Sequence, residues 1–286
     1  MQLKAIRLSR DIRSIVIIRN DENDKYTAAD QMVVAGAHQI RPDDVVYVGL
    51  GLPFLSALLA KYTHAPECTI IIENGIVRTT GFELPRATDT LGVQFMSDQL
   101  TGLFYVSSLG QAGHITTGFI GAGQVDRYGN VNDTCVGDYY RPSHRWAGSG
   151  GANDVMSFCR RTITMLRQSQ RRFPGKVDFI TCPGYIDGTL GSREKAGLLP
   201  GTGPAMVITD LACYTFENGE MVVKSVNSSV GATLEKVKEE VGWDIKVAAD
   251  LTDTTPPTDE EIRVLRERVD PRRIWVGGKR TPIGKD

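Results

Sequence analysis

Nothing in this 286-residue sequence pairs its cysteines. There are five, an odd number, at positions 68, 135, 159, 182 and 213, and none forms a C-x-x-C. That argues against a disulfide framework and for a reducing compartment. The four histidines are scattered. His64 and Cys68 stand four apart, but no second pair completes the four ligands of a closed zinc site, so no metal is expected. No apolar run approaches the ~20 residues needed to cross a bilayer, so no membrane helix is expected. Net charge is −1, which gives no reason to expect a nucleic-acid partner.

What remains is an ordinary globular composition. Hydrophobic residues make up 41% and charged residues 23%, enough for a sizeable core. Residues 25–286 show no internal repeat, low-complexity linker or shift in composition, so a single domain is expected there. Before it, MQLKAIRLSRDIRSIVIIR carries five basic residues and one acid. Such a start resembles an organelle transit peptide, but it lacks a secretory h-region. The reading preferred for residues 1–24 is an N-terminal extension on a cytoplasmic protein.

The pattern then alternates. YTAADQMVVAGAHQI has apolar residues at 29, 33, 36, 37 and 40, a helical spacing. VVYVGL (45–50) reads as a buried strand. Pro53 suits the first turn of a helix through FLSALLAKYT. TIII is the next strand. Helix, strand, tight glycine turn, helix and strand predict an open, mostly parallel α/β sheet flanked by helices. TTGFIGAG (116–123), RTITMLRQ (161–168) and KVDFIT (176–181) read as further strands. MVITDLACYTFENGEMVVKSV predicts an antiparallel meander near the C-terminus. TLEKVKEEVG predicts a helix, and Thr258 with Glu261 predicts a capping box opening another, ended by Asp270-Pro271.

TIII runs directly into Glu73-Asn74-Gly75. Asn-Gly between β-branched runs is a strong hairpin signal. The same tripeptide recurs at 217–219, where a surface hairpin is expected. Glu73 is therefore either a turn-flanking residue or a carboxylate deliberately set at the end of a buried strand. Four glycine clusters bear on the choice: VGLGLP (48–53), IGAGQVDRYGN (120–130), GSGGAND (148–154) and PGTGP (200–204). None ends as a phosphate loop, and Phe54 stands where a dinucleotide fingerprint needs its third glycine. PGTGP is adequately explained as a turn. The first three are expected to end sheet strands, where ligands of open α/β sheets bind. Three loops of free N–H donors and one carboxylate on a common edge suggest acyl transfer, with a nucleophile beside an oxyanion hole.

The ordered set GLGLPF, ENG, GAGQVDRYGNVN and GSGGAND resembles the β subunit of a class I coenzyme A-transferase, of the glutaconate CoA-transferase type. HAPEC, ELPR (83–86), GDYYRP (137–142), CPGYIDG (182–188) and the C-terminal VDP strengthen it, and it covers roughly residues 25 to 275. The resemblance implies the coenzyme A-transferase fold and a partner α subunit, giving a heterodimer that assembles to α2β2 or larger. It implies Glu73 as covalent nucleophile and the N–H of Gly121, within a residue, as oxyanion donor. Gly49, Gly51, Asn74 and the loop Gly148, Gly150, Gly151, Ala152 and Asn153 are expected near the CoA thioester. CoA is a substrate here, and no permanently bound cofactor is expected.

Two features depart from the pattern. Many members carry serine where this chain has Ile72, and residues 1–24 have no counterpart. A CoA-ester or ring-opening hydrolase of the same fold is the alternative function. A ligand sensor fits less well because residues 1–24 are too short for the DNA-binding module it would carry, and a structural subunit without chemistry of its own fits less well because Glu73 is retained. The acyl group is open. Arg78 and Arg86 are candidates to pair with a distal carboxylate of a dicarboxylic acid, and ordinary surface arginines explain them equally well.

Overall fold

The computed structural model describes residues 25–77 and 91–276. Residues 1–24, ELPR, Arg78 and Arg86 lie outside the described residues. In chain order the strands are β1 (Val45–Val48), β2 (Thr69–Ile72), β3 (Ile76–Val77), β4 (Gln99–Leu100), β5 (Thr117–Gly121), β6 (Gln124–Val125), β7 (Val131–Asn132), β8 (Cys135–Val136), β9 (His144–Arg145), β10 (Arg161–Met165), β11 (Pro204–Ile208), β12 (Ala212–Glu217), β13 (Glu220–Val226) and β14 (Lys246–Asp253). The helices are α1 (Ala28–Ala37), α2 (Leu52–Tyr62), α3 (Leu91–Gln94), α4 (Leu103–Gln111), α5 (Ala152–Phe158), α6 (Ser192–Lys195), α7 (Leu234–Glu239) and α8 (Asp259–Val264).

Among the described residues, ten strands form one sheet in the order β14-β13-β12-β11-β10-β5-β1-β2-β3-β4. The run from β11 to β2 is parallel throughout. The expected meander is present, because β11, β12 and β13 pair antiparallel. The second Glu-Asn-Gly forms its tight turn, with Asn218 and Gly219 both at positive φ. The Thr258–Glu261 capping box opens α8 as expected.

The pleat decides what each face carries. Val46, Val48, Ile70 and Ile72 point to one side, into a core with α1 and α2. Tyr47, Ile71 and Ile120 point to the other, into a core with Val155 and Met156 of α5. Because Tyr47 pairs with Ile71 in register, the odd-numbered residues of β1 and β2 share the α5 face. Gly118 lets α5 come close. A Cβ there would lie 2.3 Å from Val155 and 2.8 Å from the Cys159 sulfur.

Two expectations need correction. KVDFIT is not a strand. Its backbone is held instead by a carboxylate and by β7: Val177 N–H donates to Asp126 Oδ2 at 3.3 Å, and Thr181 N–H donates to the Val131 carbonyl. GSGGAND does not end a strand of the large sheet. It follows β9, half of a separate two-stranded ribbon, and leads into α5.

At the start of β1 and β10, Arg161 donates to Asp44 Oδ2 and to the Thr117 hydroxyl, both at 2.8 Å. Burial alone would raise the Asp44 carboxyl. The Thr116 hydroxyl, the Arg41 N–H and the Arg161 guanidinium together hold it below the ordinary carboxylate value. Arg161→Met is therefore expected to cost about 3 kcal/mol in urea unfolding at pH 7, by leaving a buried charge unpaired. Since the folded Asp44 value is depressed, this stabilisation is present above about pH 4 and fades as pH falls through the folded value. The difference between variant and wild type should shrink accordingly in acid.

Candidate active site

The first Glu-Asn-Gly is also a hairpin. β2 and β3 pair antiparallel with Ile72 opposite Ile76, and Gly75 N–H donates back to the Ile72 carbonyl at 3.0 Å. The turn and the placed carboxylate are the same feature. Glu73 leaves the strand on the α5 side, where the Gly151 N–H donates to its Oε2 at 3.1 Å. That contact needs a residue without a side chain. A Cβ on Gly151 would lie 2.9 Å from Glu73 Oε2 and 2.9 Å from the Tyr47 hydroxyl.

Around this carboxylate lies a cavity of about 420 Å³. Its walls include Tyr47, Gly49, Gly121, Ala152, Trp146 and Arg172. Tyr47 is nearly fully buried. Burial, then the charges of Glu73 and Asp154, push its phenol well above the ordinary value. It stays a neutral hydroxyl at physiological pH. Asp133 also lines the cavity; burial raises its carboxyl, and the Gly123 N–H, donating to Oδ1 at 2.6 Å, opposes that. The Gly123 N–H is thereby occupied. Gly121 ends β5 in the cavity wall, with open space where a side chain would start.

The sequence candidates divide. Glu73, Gly49, Gly121, Gly151 and Ala152 come together. Asn74 is the half-buried neighbour of Glu73 in the turn. Gly150 lies just behind, where an added Cβ would be 3.6 Å from Glu73 Oε2. Gly51 is elsewhere, capping α2 beside Trp275. Gly148 is exposed and outside the cavity wall. Asn153 braces the loop, its Nδ2 donating to the Thr181 carbonyl at 2.6 Å. Sequence reasoning missed Tyr47, Asp133, Trp146 and Arg172. Tyr47 alone carried a signal, as a hydroxyl inside an otherwise aliphatic strand.

A larger cavity of about 460 Å³ surrounds Arg193, by the first residues of β11. It contains none of the candidates. Both terminal nitrogens of Arg193 are engaged, by the carbonyls of Pro183, Gly184 and Met156 and the Thr202 hydroxyl, so this arginine ties loops together. Among the described residues no group of His, Cys, Asp and Glu is arranged to hold a metal, and no helix is long and apolar enough to cross a membrane.

The family profile described as coenzyme A transferase matches residues 29–240. The chain belongs to the coenzyme A-transferase family. It is 35% identical over 257 residues to the B subunit of glutaconate CoA-transferase from Acidaminococcus fermentans, covering 88% of this chain and 95% of that one. It is 37% identical over 245 residues to the B subunit of 3-oxoadipate CoA-transferase from Pseudomonas knackmussii, covering 84% and 92%. The crystal structure of the Acidaminococcus glutaconate enzyme superposes with a TM-score of 0.83 at 33% identity, covering 89% of this chain and 98% of that chain. A subunit of the cholesterol ring-cleaving hydrolase of Rhodococcus jostii is more distant, at 25% identity over 228 residues, 78% of this chain and 83% of that one. The chain is thus a coenzyme A-transferase β subunit, with the fold expected from its motifs.

Proposed function

We propose that Glu73 carries the covalent step of CoA transfer between an acyl-CoA and a free acid. The supporting observation is the Gly151 N–H donating to Glu73 Oε2 inside the cavity that Gly121 also lines. Glu73 attacks the thioester carbonyl, forming a mixed anhydride and releasing CoA thiolate. The thiolate attacks the glutamyl carbonyl, expelling the first acid and leaving a glutamyl-CoA thioester. The acceptor carboxylate reverses both steps. Each addition develops an oxyanion, for which the Gly121 N–H is the assigned donor, worth about 3 kcal/mol. The neutral Tyr47 hydroxyl offers a second polar group at the same wall. Ile71, buried on the same face of the sheet as Glu73, gives the strand end that carries the thioester an apolar base.

The working unit is this chain with an α subunit, assembled as a heterodimer or a higher α2β2 form, in the cytoplasm. The acyl group is dicarboxylic. Glutaconate and 3-oxoadipate, for which the two similar transferases are named, are both dicarboxylic acids.

A hydrolase on the same fold would use water as acceptor. With its α partner, the protein should show ping-pong kinetics, and without acceptor acid it should release one equivalent of free acid and then stop. Continuous thiol release in the absence of acceptor would overturn transfer in favour of hydrolysis.

A further inference from the structure

We infer that Arg172 forms an anion subsite in the Glu73 cavity, and that its ligand is the distal carboxylate of a dicarboxylic acyl group. The inference rests on the reading of Glu73 as nucleophile and names the residue that selects the acyl class. Among the described residues that line the cavity, Arg172, itself exposed, is the one cation, at a space that Glu73 and Asp133 also line. Asp133 is already engaged by the Gly123 N–H. Arg172 makes no side-chain hydrogen bond or ion pair among the described residues, whereas Arg161 and Arg193 donate to groups that brace the fold.

Its backbone is nevertheless fixed. The Arg172 N–H donates to the Ser169 carbonyl, and its own carbonyl accepts from Val125, both at 2.8 Å. The next residue, Phe173, is fully buried between Tyr214 and Trp243. A guanidinium on a pinned backbone and without a protein partner suits bidentate capture of a carboxylate.

Both substrates of this reaction carry anions, so the source must be decided, and length decides it. The open pocket of about 420 Å³ that Glu73 and Arg172 both line is on the order of 10 Å across. An extended chain gains ~1.2 Å per bond, so the nearest phosphate of CoA lies ~16 Å from its sulfur, beyond this cavity. The two carboxyl carbons of a five-carbon diacid lie only ~5 Å apart. One can sit at Glu73 while the other meets Arg172. The subsite also offsets the repulsion that a second carboxylate would meet from Glu73 and Asp133.

The test compares glutaryl-CoA with pentanoyl-CoA, which has the same five-carbon chain without the distal carboxylate, in the assembled enzyme. Wild type should favour glutaryl-CoA in kcat/KM. Arg172→Ala should collapse that ratio by on the order of 10²-fold, through loss of a charge-assisted pair. Arg172→Lys should restore part of it, and a CoA adduct on Glu73 should still form from glutaryl-CoA at saturation. Equal losses for both thioesters would overturn the subsite. So would weakening of inhibition by free CoA to the same degree as the glutaryl-CoA kcat/KM, which would assign Arg172 to the phosphates. Wild-type transfer without preference between the two would sink the subsite and leave Glu73 standing. Absence of transfer and of adduct would sink both.

Discussion

Glu73→Gln is expected to abolish transfer, by on the order of 10⁴-fold or more in kcat, while the protein remains folded and assembled. The amide keeps an oxygen that can still accept from the Gly151 N–H, the bond that places Glu73 at 3.1 Å. The hairpin does not depend on the carboxylate either, since Gly75 closes it onto Ile72 through backbone alone. Only the nucleophile is removed. Glu73→Asp tests placement instead. It withdraws the carboxylate by one methylene, ~1.5 Å, and a misplacement of ~1 Å can already cost about 10²-fold. Steady-state transfer rates with unchanged urea midpoints are the check. Full activity in the glutamine variant would return Glu73 to the role of a turn residue.

Gly151→Ala should lower kcat by about 10²-fold with only about 1–2 kcal/mol of lost stability. Gly151 sits at φ −78° and ψ −3°, a conformation any residue adopts, so the backbone carries no strain. The cost falls on the site. The new methyl would stand 2.9 Å from both Glu73 Oε2 and the Tyr47 hydroxyl, closer than such contacts allow, and both must move. Denaturation curves set beside single-turnover rates separate the two effects. A large stability loss would mean that Gly151 serves packing, and an unchanged rate would mean that the carboxylate position is not critical.

The sequence carried the local features well. The β-branched runs, the Asn-Gly turns and the Thr258–Glu261 box each depend on neighbouring residues, and each folded as read. Glu73 posed a choice between hairpin and site only because the turn and the strand end were read separately. The two are one feature: the hairpin forms, and the pleat sends Glu73 to the same face as Ile71 and Tyr47. Features set by distant contacts were not legible. KVDFIT has strand composition, but Asp126 and Val131 take its backbone donors. The approach of α5 depends on Gly118, well before Gly151 in the chain, and only that approach brings Gly151 to Glu73. Arg172 carries no local signal, since it sits in an exposed turn and only the fold brings that turn to the Glu73 cavity.

A single mass spectrum bears on the covalent role of Glu73. The enzyme assembled with its α partner is incubated with acyl-CoA and no acceptor acid, digested, and the fragment containing TIIIENGIV is weighed. A mass increase of one coenzyme A on that fragment, placed on Glu73 and discharged by added acid, is the predicted result. An unmodified fragment from an enzyme that still turns over would contradict it.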